Sequence, residues 1–182
     1  MKYQFYLHNK YFITYSIDKK GLFFDEQMKK IIMTQLFKTA KSTDTEIEPY
    51  AILNNHLHFI ASSQEKSISK IFLKNFAGAS SHEINKYLNQ NGKLWDKYYG
   101  WAIFNEKAYF NILAYILGNP IRHGMAKSFA ELYDYAFCNF KQYADEYSKD
   151  AMEERVMSVL KIKSEDDEKE FFYNLSCPYI PH

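Results

Sequence analysis

The order strand, helix, strand, strand, helix, strand over residues 11 to 104 predicts an α+β fold, a ferredoxin-like antiparallel sheet (βαββαβ) with two helices on one face. Three observations carry the prediction. β-Branched and aromatic runs recur at YFITYSI, IEPYAIL, HLHFIA and KLWDKYYGWAIF. Apolar residues at helical spacing fill the intervals after the first and third of these runs. Only Asn54-Asn55, a pair that tolerates turn geometry, separates the second run from the third, which makes them a hairpin. Composition agrees: of 182 residues, 47% are hydrophobic and 18% aromatic, with 16 Tyr and 15 Phe, the signature of a folded globular chain.

Residues 11–17 form the first strand, followed by a turn at Lys19-Lys20-Gly21. From Glu26 to about Thr39, Met28, Ile31, Ile32, Leu36 and Phe37 recur at helical spacing until the polar KSTDTE segment. The second strand covers 47–53, and the third runs from His56 to Ala61. A longer helix is expected over 67–90, opening on Ser67-Ile68-Ser69 as a cap and carrying Ile71, Phe72 and Phe76. After a loop at 89–92, residues 93–104 give a fourth strand rich in rings and lysines.

An added helix follows, from about Glu106 to Gly118. Tyr109, Ile112, Leu113, Ile116 and Leu117 form its packing stripe. Asn111, Tyr115 and Asn119, each four residues from the last, form a separate strip. Pro120 biases Asn119 away from helical geometry, so the helix is expected to end there. Residues 129–147 are aromatic and helical in part, and 151–161 and 165–175 read as short amphipathic helices. The expected organisation is a main domain at 1–145 and an acidic, helical C-terminal extension at 146–182.

Net charge is only +1, but residues 1–144 hold 18 Lys/Arg and 12 Asp/Glu, whereas 145–182 hold 5 and 10. A basic body with an acidic tail suits a domain that meets a polyanion, and equally an ordinary solvated surface. Cys138 and Cys177 share no metal-type spacing and suggest a reducing compartment. No signal peptide or membrane span is visible in the sequence, so a cytoplasmic location is expected.

The chemistry concentrates in two stretches. On an extended strand His56 and His58 point one way, and Leu57 and Phe59 the other. Two imidazoles on one face make half of a divalent-metal site. By itself the pair also fits a polar strand edge, and Tyr115, one tyrosine among 16, also fits a packing position. AYILGNPIRHG at 114–124 changes that balance.

NNHLHFI resembles the His-hydrophobic-His motif of HUH endonucleases. YILGNPIRHG resembles the Tyr-Ile-x-x-Asn-Pro-Val block of REP-associated tyrosine transposases, a branch of the single-tyrosine, IS200-like transposases. The likeness extends to IEPYAILNNHLHFI, KLWDKYY and FCNFKQY, and covers roughly residues 11–145. Two departures stand out: Asn54 where many relatives have proline, and isoleucine in GNPIRHG where relatives favour valine.

The resemblance implies a metal-dependent nuclease that cuts and rejoins single-stranded or hairpin DNA through a covalent tyrosine. His56, His58 and Asn119 would then hold Mg²⁺ or Mn²⁺, and Tyr115 would be the nucleophile. Relatives include dimers, so Tyr115 could serve its own histidines or those of a partner in a homodimer.

For DNA contact, Lys93, Trp95, Lys97, Tyr98, Tyr99 and Trp101 interleave charge with rings. Lys70 and Lys74 lie one helical turn apart, and Arg122, His123 and Lys127 follow the tyrosine block. The competing reading is a non-cleaving nucleic-acid-binding protein on the same fold. A two-histidine phosphodiesterase needs a pair of His-x-Ser/Thr motifs, and the chain has none.

Overall fold

Strands β1 (Lys10–Ile17), β2 (Thr45–Ile52), β3 (His56–Ser63) and β4 (Trp95–Ala102) form one antiparallel sheet in the order β2-β3-β1-β4. Helices α1 (Glu26–Ser42) and α2 (Lys70–Tyr87) fall between β1 and β2 and between β3 and β4, so the expected βαββαβ order is present. This is a computed structural model, and it describes residues 9–17, 21–63, 70–162, 167, 170–172 and 175. The expected Ser67-Ile68-Ser69 cap, Lys19-Lys20, most of the 165–175 helix, Cys177 and the Lys97 side chain lie outside the described residues.

Alternation along the strands sorts side chains into two cores. Ile13 and Tyr15 of β1, with Leu57, Phe59 and Ala61 of β3, pack against α1 and α2. Phe12 and Ile60 belong to the opposite core. Helix α1 starts where the Asp25 side chain accepts the Met28 N–H at 2.7 Å, and buries Met28, Ile32, Leu36 and Ala40 at four-residue steps. Helix α2 does the same with Phe72, Phe76, Ser80 and Ile84.

The sheet's β2 edge is closed by a later segment. Pro49 sits where the β2–β3 register shifts, a position an edge strand allows. Beyond it, the Ile52 N–H donates to the Phe137 carbonyl at 2.9 Å, and the Tyr50 N–H to Asn139 Oδ1 at 2.9 Å.

Helix α3 (Glu106–Arg122) covers the second face of the sheet. Asn105 caps it by accepting the Ala108 N–H at 2.8 Å. The expected stop at Asn119 is corrected: α3 runs through Pro120 to Arg122. In the last turn proline removes one donor, and the turn still closes through the His123 N–H on the Asn119 carbonyl at 2.9 Å.

Three more helices, α4 (Phe129–Tyr133), α5 (Phe140–Tyr147) and α6 (Lys149–Val159), form an outer layer. Met152, Val156 and Val159 of α6 join the α3 core. The approach is close: a Cβ at Gly118 would lie 2.9 Å from Val156 Cγ1. Covered on both sides, α3 is buried continuously from Ile112 to Pro120, so Tyr115 and Asn119 of its polar strip are as enclosed as its apolar stripe, while Asn111 is half-buried. No helix among the described residues is long and apolar enough to cross a membrane.

Candidate active site

The β2–β3 turn places the first histidine. The Leu53 N–H donates to the His56 carbonyl at 2.8 Å, which closes the loop over Asn54 and Asn55 and starts β3 at His56. His56 and His58 then share one face, with ring centroids 4.8 Å apart. His56 Nδ1 lies 2.6 Å from Asn55 Oδ1. An amide oxygen only accepts, so Nδ1 carries the proton, and in the neutral ring the Nε2 lone pair is left available.

His58 is more enclosed, at 4% exposure, with Nδ1 2.8 Å from Thr14 Oγ1. Burial, together with nearby His123 and Arg122, pushes His56 down to about 3. Burial also holds His58 well below the ordinary imidazole range, with His56, His123 and Arg122 adding to the effect. Both rings are therefore neutral near pH 7, as metal ligation requires.

Helix α3 supplies the rest. Tyr115 is 3% exposed, its ring centroid 5.4 Å from that of His58. Arg122, two turns on, donates from Nη1 to Tyr115 Oη at 3.1 Å, with its guanidinium carbon 5.5 Å from the ring centre. Asn119 is fully buried, and its Nδ2 donates to the Tyr115 carbonyl at 2.7 Å. That bond fixes the amide and leaves Oδ1 without a partner. Among the described residues, the buried side-chain polar atoms without a hydrogen bond are His58 Nε2 and Asn119 Oδ1. His123, the C-cap of α3, brings its ring 4.9 Å from His56.

Sequence reasoning missed three participants. Thr14 orients His58; its signal was a polar residue at an alternate position of an apolar strand. Phe171 stacks beside Tyr115 at 5.8 Å, and Phe172 meets it edge-on at 5.2 Å. Phe172 also stacks on Phe12 at 5.3 Å and on Trp101 at 5.0 Å, so these two residues of the acidic extension lie over the tyrosine. An aromatic pair inside an acidic amphipathic stretch was the available clue.

The expected DNA-contact residues divide between the two faces of the sheet. Arg122 and His123 stand at the histidine centre. Lys70, Lys74, Lys93, Trp95 and Tyr98 line a groove between α2 and β4, on the α1/α2 side. Trp95 is 4% exposed, and its indole N–H donates to Ser80 Oγ at 2.9 Å, which makes it chiefly a core residue. Strict alternation would put Trp95 on the face of Trp101. A register shift between Tyr15 and Ile17 in the β1–β4 pairing turns it to the other face.

Among the described residues no group of three or more His, Cys, Asp or Glu side chains is arranged to hold a metal ion. The donor set on offer is two imidazoles and an amide oxygen, and two of its atoms, His58 Nε2 and Asn119 Oδ1, are the orphaned ones. That set fits a divalent ion that keeps positions open for substrate oxygens.

Comparison with known proteins gives a family and a fold. The sequence profile of the family described as "Transposase IS200 like" matches residues 3–119. A solved structure of a REP-associated tyrosine transposase bound to a REP hairpin superposes with a TM-score of 0.64 at 19% identity, covering 74% of this chain and 78% of that one. A putative transposase from Deinococcus radiodurans gives a TM-score of 0.46 at 16% identity, covering 64% of this chain and 95% of that one. No curated protein matches the chain.

Proposed function

Since the chain belongs to the IS200-like transposase family, we propose that it nicks and rejoins single-stranded DNA at hairpin-flanked sites, with Tyr115 as nucleophile. The observation that carries the reading is the pair of orphaned buried atoms, His58 Nε2 and Asn119 Oδ1, beside a tyrosine held by an arginine. A buried polar group without a partner costs about 1–3 kcal/mol, so two of them on residues that each adjoin Tyr115 point to a ligand that satisfies them.

His56, His58 and Asn119 would hold Mg²⁺ or Mn²⁺. When bound, such an ion polarises the scissile phosphate and offsets charge in the transition state. The chain's own residues do the rest. Tyr115 Oη attacks phosphorus in line, the P–O3′ bond breaks, and a 5′-phosphotyrosine and a free 3′-hydroxyl result. A free phenol has a pKa of about 10, and the Arg122 guanidinium on Oη stabilises the phenolate as its proton leaves. Asn119, one turn beyond Tyr115, ties the ligand set to the nucleophile through the Tyr115 carbonyl. The reverse attack by a 3′-hydroxyl rejoins DNA with no external energy source. Tyr99, 41% exposed and paired with Thr14 in the sheet, offers a ring to unpaired bases on this face.

One observation favours a binding-only reading: Tyr115 is 3% exposed beneath Phe171 and Phe172. A covalent-adduct assay decides between the two. Labelled single-stranded hairpin oligonucleotides from the genomic flanks are incubated with the protein and Mg²⁺ or Mn²⁺, beside Tyr115→Phe and His56→Ala. A denaturation-resistant band that needs metal and is absent from both variants establishes the nuclease. Equal, tight hairpin binding by all three proteins with no band establishes binding without cleavage.

A further inference from the structure

The groove between α2 and β4 lies across the sheet from the histidine centre, and the nicking chemistry makes no use of it. We propose that it is a second DNA subsite that takes one unpaired nucleotide, the base against Tyr98 and the backbone phosphate among Lys70, Lys74 and Lys93. The proposal rests on the DNA-processing reading above and adds to it a subsite on the opposite face.

Size and chemistry agree. The groove has a volume of about 490 Å³, within the range of about 300–1,000 Å³ typical of small-ligand sites. Its floor is carbon surface whose polar atoms are already engaged. Tyr15 Oη donates to the Leu73 carbonyl at 2.9 Å, and the Trp95 indole N–H to Ser80 at 2.9 Å. A floor of that kind accepts a base by its face and reads no hydrogen-bonding edge, which makes it tolerant of sequence. Tyr98, half-buried and packed against Tyr15 at 5.5 Å, lines the groove and is the aromatic side chain a base would meet there.

The rim is cationic. Lys70 and Lys74 stand one turn apart on α2, and Lys93 approaches from the β4 side. Among the described lining residues three lysines stand beside one carboxylate, Asp96, which pairs with Lys93 at 3.4 Å. Three lysines around an apolar floor match a nucleotide, which is anionic at one end and a flat ring at the other.

The wall carries the strongest sign. Gly78 lies inside α2, where glycine costs about 1 kcal/mol relative to alanine. Packing does not demand it: a Cβ there would meet nothing within 4 Å. Its φ is not in the left-handed region either. With Ala77 and Ser81 beside it, Gly78 keeps the α2 wall low and the groove open.

The test compares affinities of the full chain for two labelled hairpins, one with single-stranded flanks and one blunt-ended. Gly78→Leu fills the groove and raises helix propensity, so its melting temperature should be unchanged or higher. Its Kd for the flanked hairpin should rise on the order of tenfold, the scale of one lost base stack, while its Kd for the blunt hairpin stays put. Gly78→Ala, which fills little, should lose far less.

Lys70→Ala with Lys74→Ala should flatten the salt dependence for the flanked hairpin by about 0.7 in slope per lost phosphate contact. Equal affinity of Gly78→Leu and the unaltered chain for flanked DNA overturns the proposal. Equal weakening of both hairpins by the lysine changes also overturns it, in favour of plain contact with duplex backbone. The adduct assay on the unaltered chain is read separately. A groove effect without an adduct sinks the nicking reading alone, an adduct without a groove effect sinks the groove alone, and no DNA binding at all overturns both.

Discussion

The two faces of the sheet treat buried polar groups differently. On the α1/α2 face each such group among the described residues is matched: Tyr15 Oη to the Leu73 carbonyl, the Trp95 N–H to Ser80, and Ser80 Oγ to the Phe76 carbonyl at 2.6 Å. Even Lys29, 7% exposed, reaches Asn54 Oδ1 at 2.8 Å and Tyr135 Oη at 3.2 Å. On the α3 face His58 Nε2 and Asn119 Oδ1 have nothing. Native structures leave few such atoms. One face satisfies its own buried polar groups among the described residues, and the other leaves two of them open.

The largest expected effect belongs to Tyr115→Phe, which removes the proposed nucleophile and keeps the ring. Adduct yield should fall to background while the melting curve hardly moves, because the packing with Phe12 and Phe172 is retained. Residual adduct in this variant would transfer the role to another tyrosine. Next is Thr14→Val, which frees His58 Nδ1. Mn²⁺ affinity measured by calorimetry should drop about 10- to 100-fold, the usual effect of losing a group that orients a ligating histidine. Unchanged affinity would mean that His58 is not a ligand.

A matched pair of variants probes the contrast itself. Ser80→Ala strands the Trp95 N–H and should lower stability by about 1–2 kcal/mol. Asn119→Leu removes an orphaned oxygen and should leave the metal-free protein as stable or about 1 kcal/mol more so, while abolishing the adduct. Denaturant titration of both would collapse the distinction between faces if the two losses were alike.

A further effect is with pH. His56, at about 3 when folded, lies below its unfolded value of about 6.5. Between those values the unfolded chain binds the proton and the folded chain does not, so stability rises with pH. It is fully present above about pH 6.5 and is lost as pH falls towards 3, by at most about 1.4 kcal/mol per pH unit for each such histidine. Metal-free melting at pH 7, 6 and 5 checks the sign, and His56→Gln should flatten the slope.

The sheet was legible because alternation, turn residues and helical spacing are local signals, and each had its structural counterpart within a few residues. His56, His58 and Tyr115 stood out only as motifs, since nothing local sets a proposed nucleophile apart from the many tyrosines that pack; the structure brings their rings together at 4.8 and 5.4 Å. What the sequence did not disclose depends on distant contacts. Pro120 stays in α3 because the last turn loses only one donor there and the helix is enclosed by the sheet and α6. Trp95 leaves the face of Trp101 because a register shift, invisible in a strand's own residues, re-aims it. Thr14 and Phe172 reach the site through register and through packing of the extension, neither of which spacing encodes.

The placement of His56 and His58 on β3 and of Tyr115 on α3 also sets an order of events during translation. A ribosome delivers the histidine hairpin well before the helix that carries Tyr115, and domains condense from the N-terminal side as they emerge. A nascent chain that has folded only that hairpin holds the two histidines without the proposed nucleophile. Only when α3 docks, and α6 closes over Gly118 through Val156, are both halves in one place. A prematurely terminated product lacking α3 would retain the histidines and lack the proposed nucleophile.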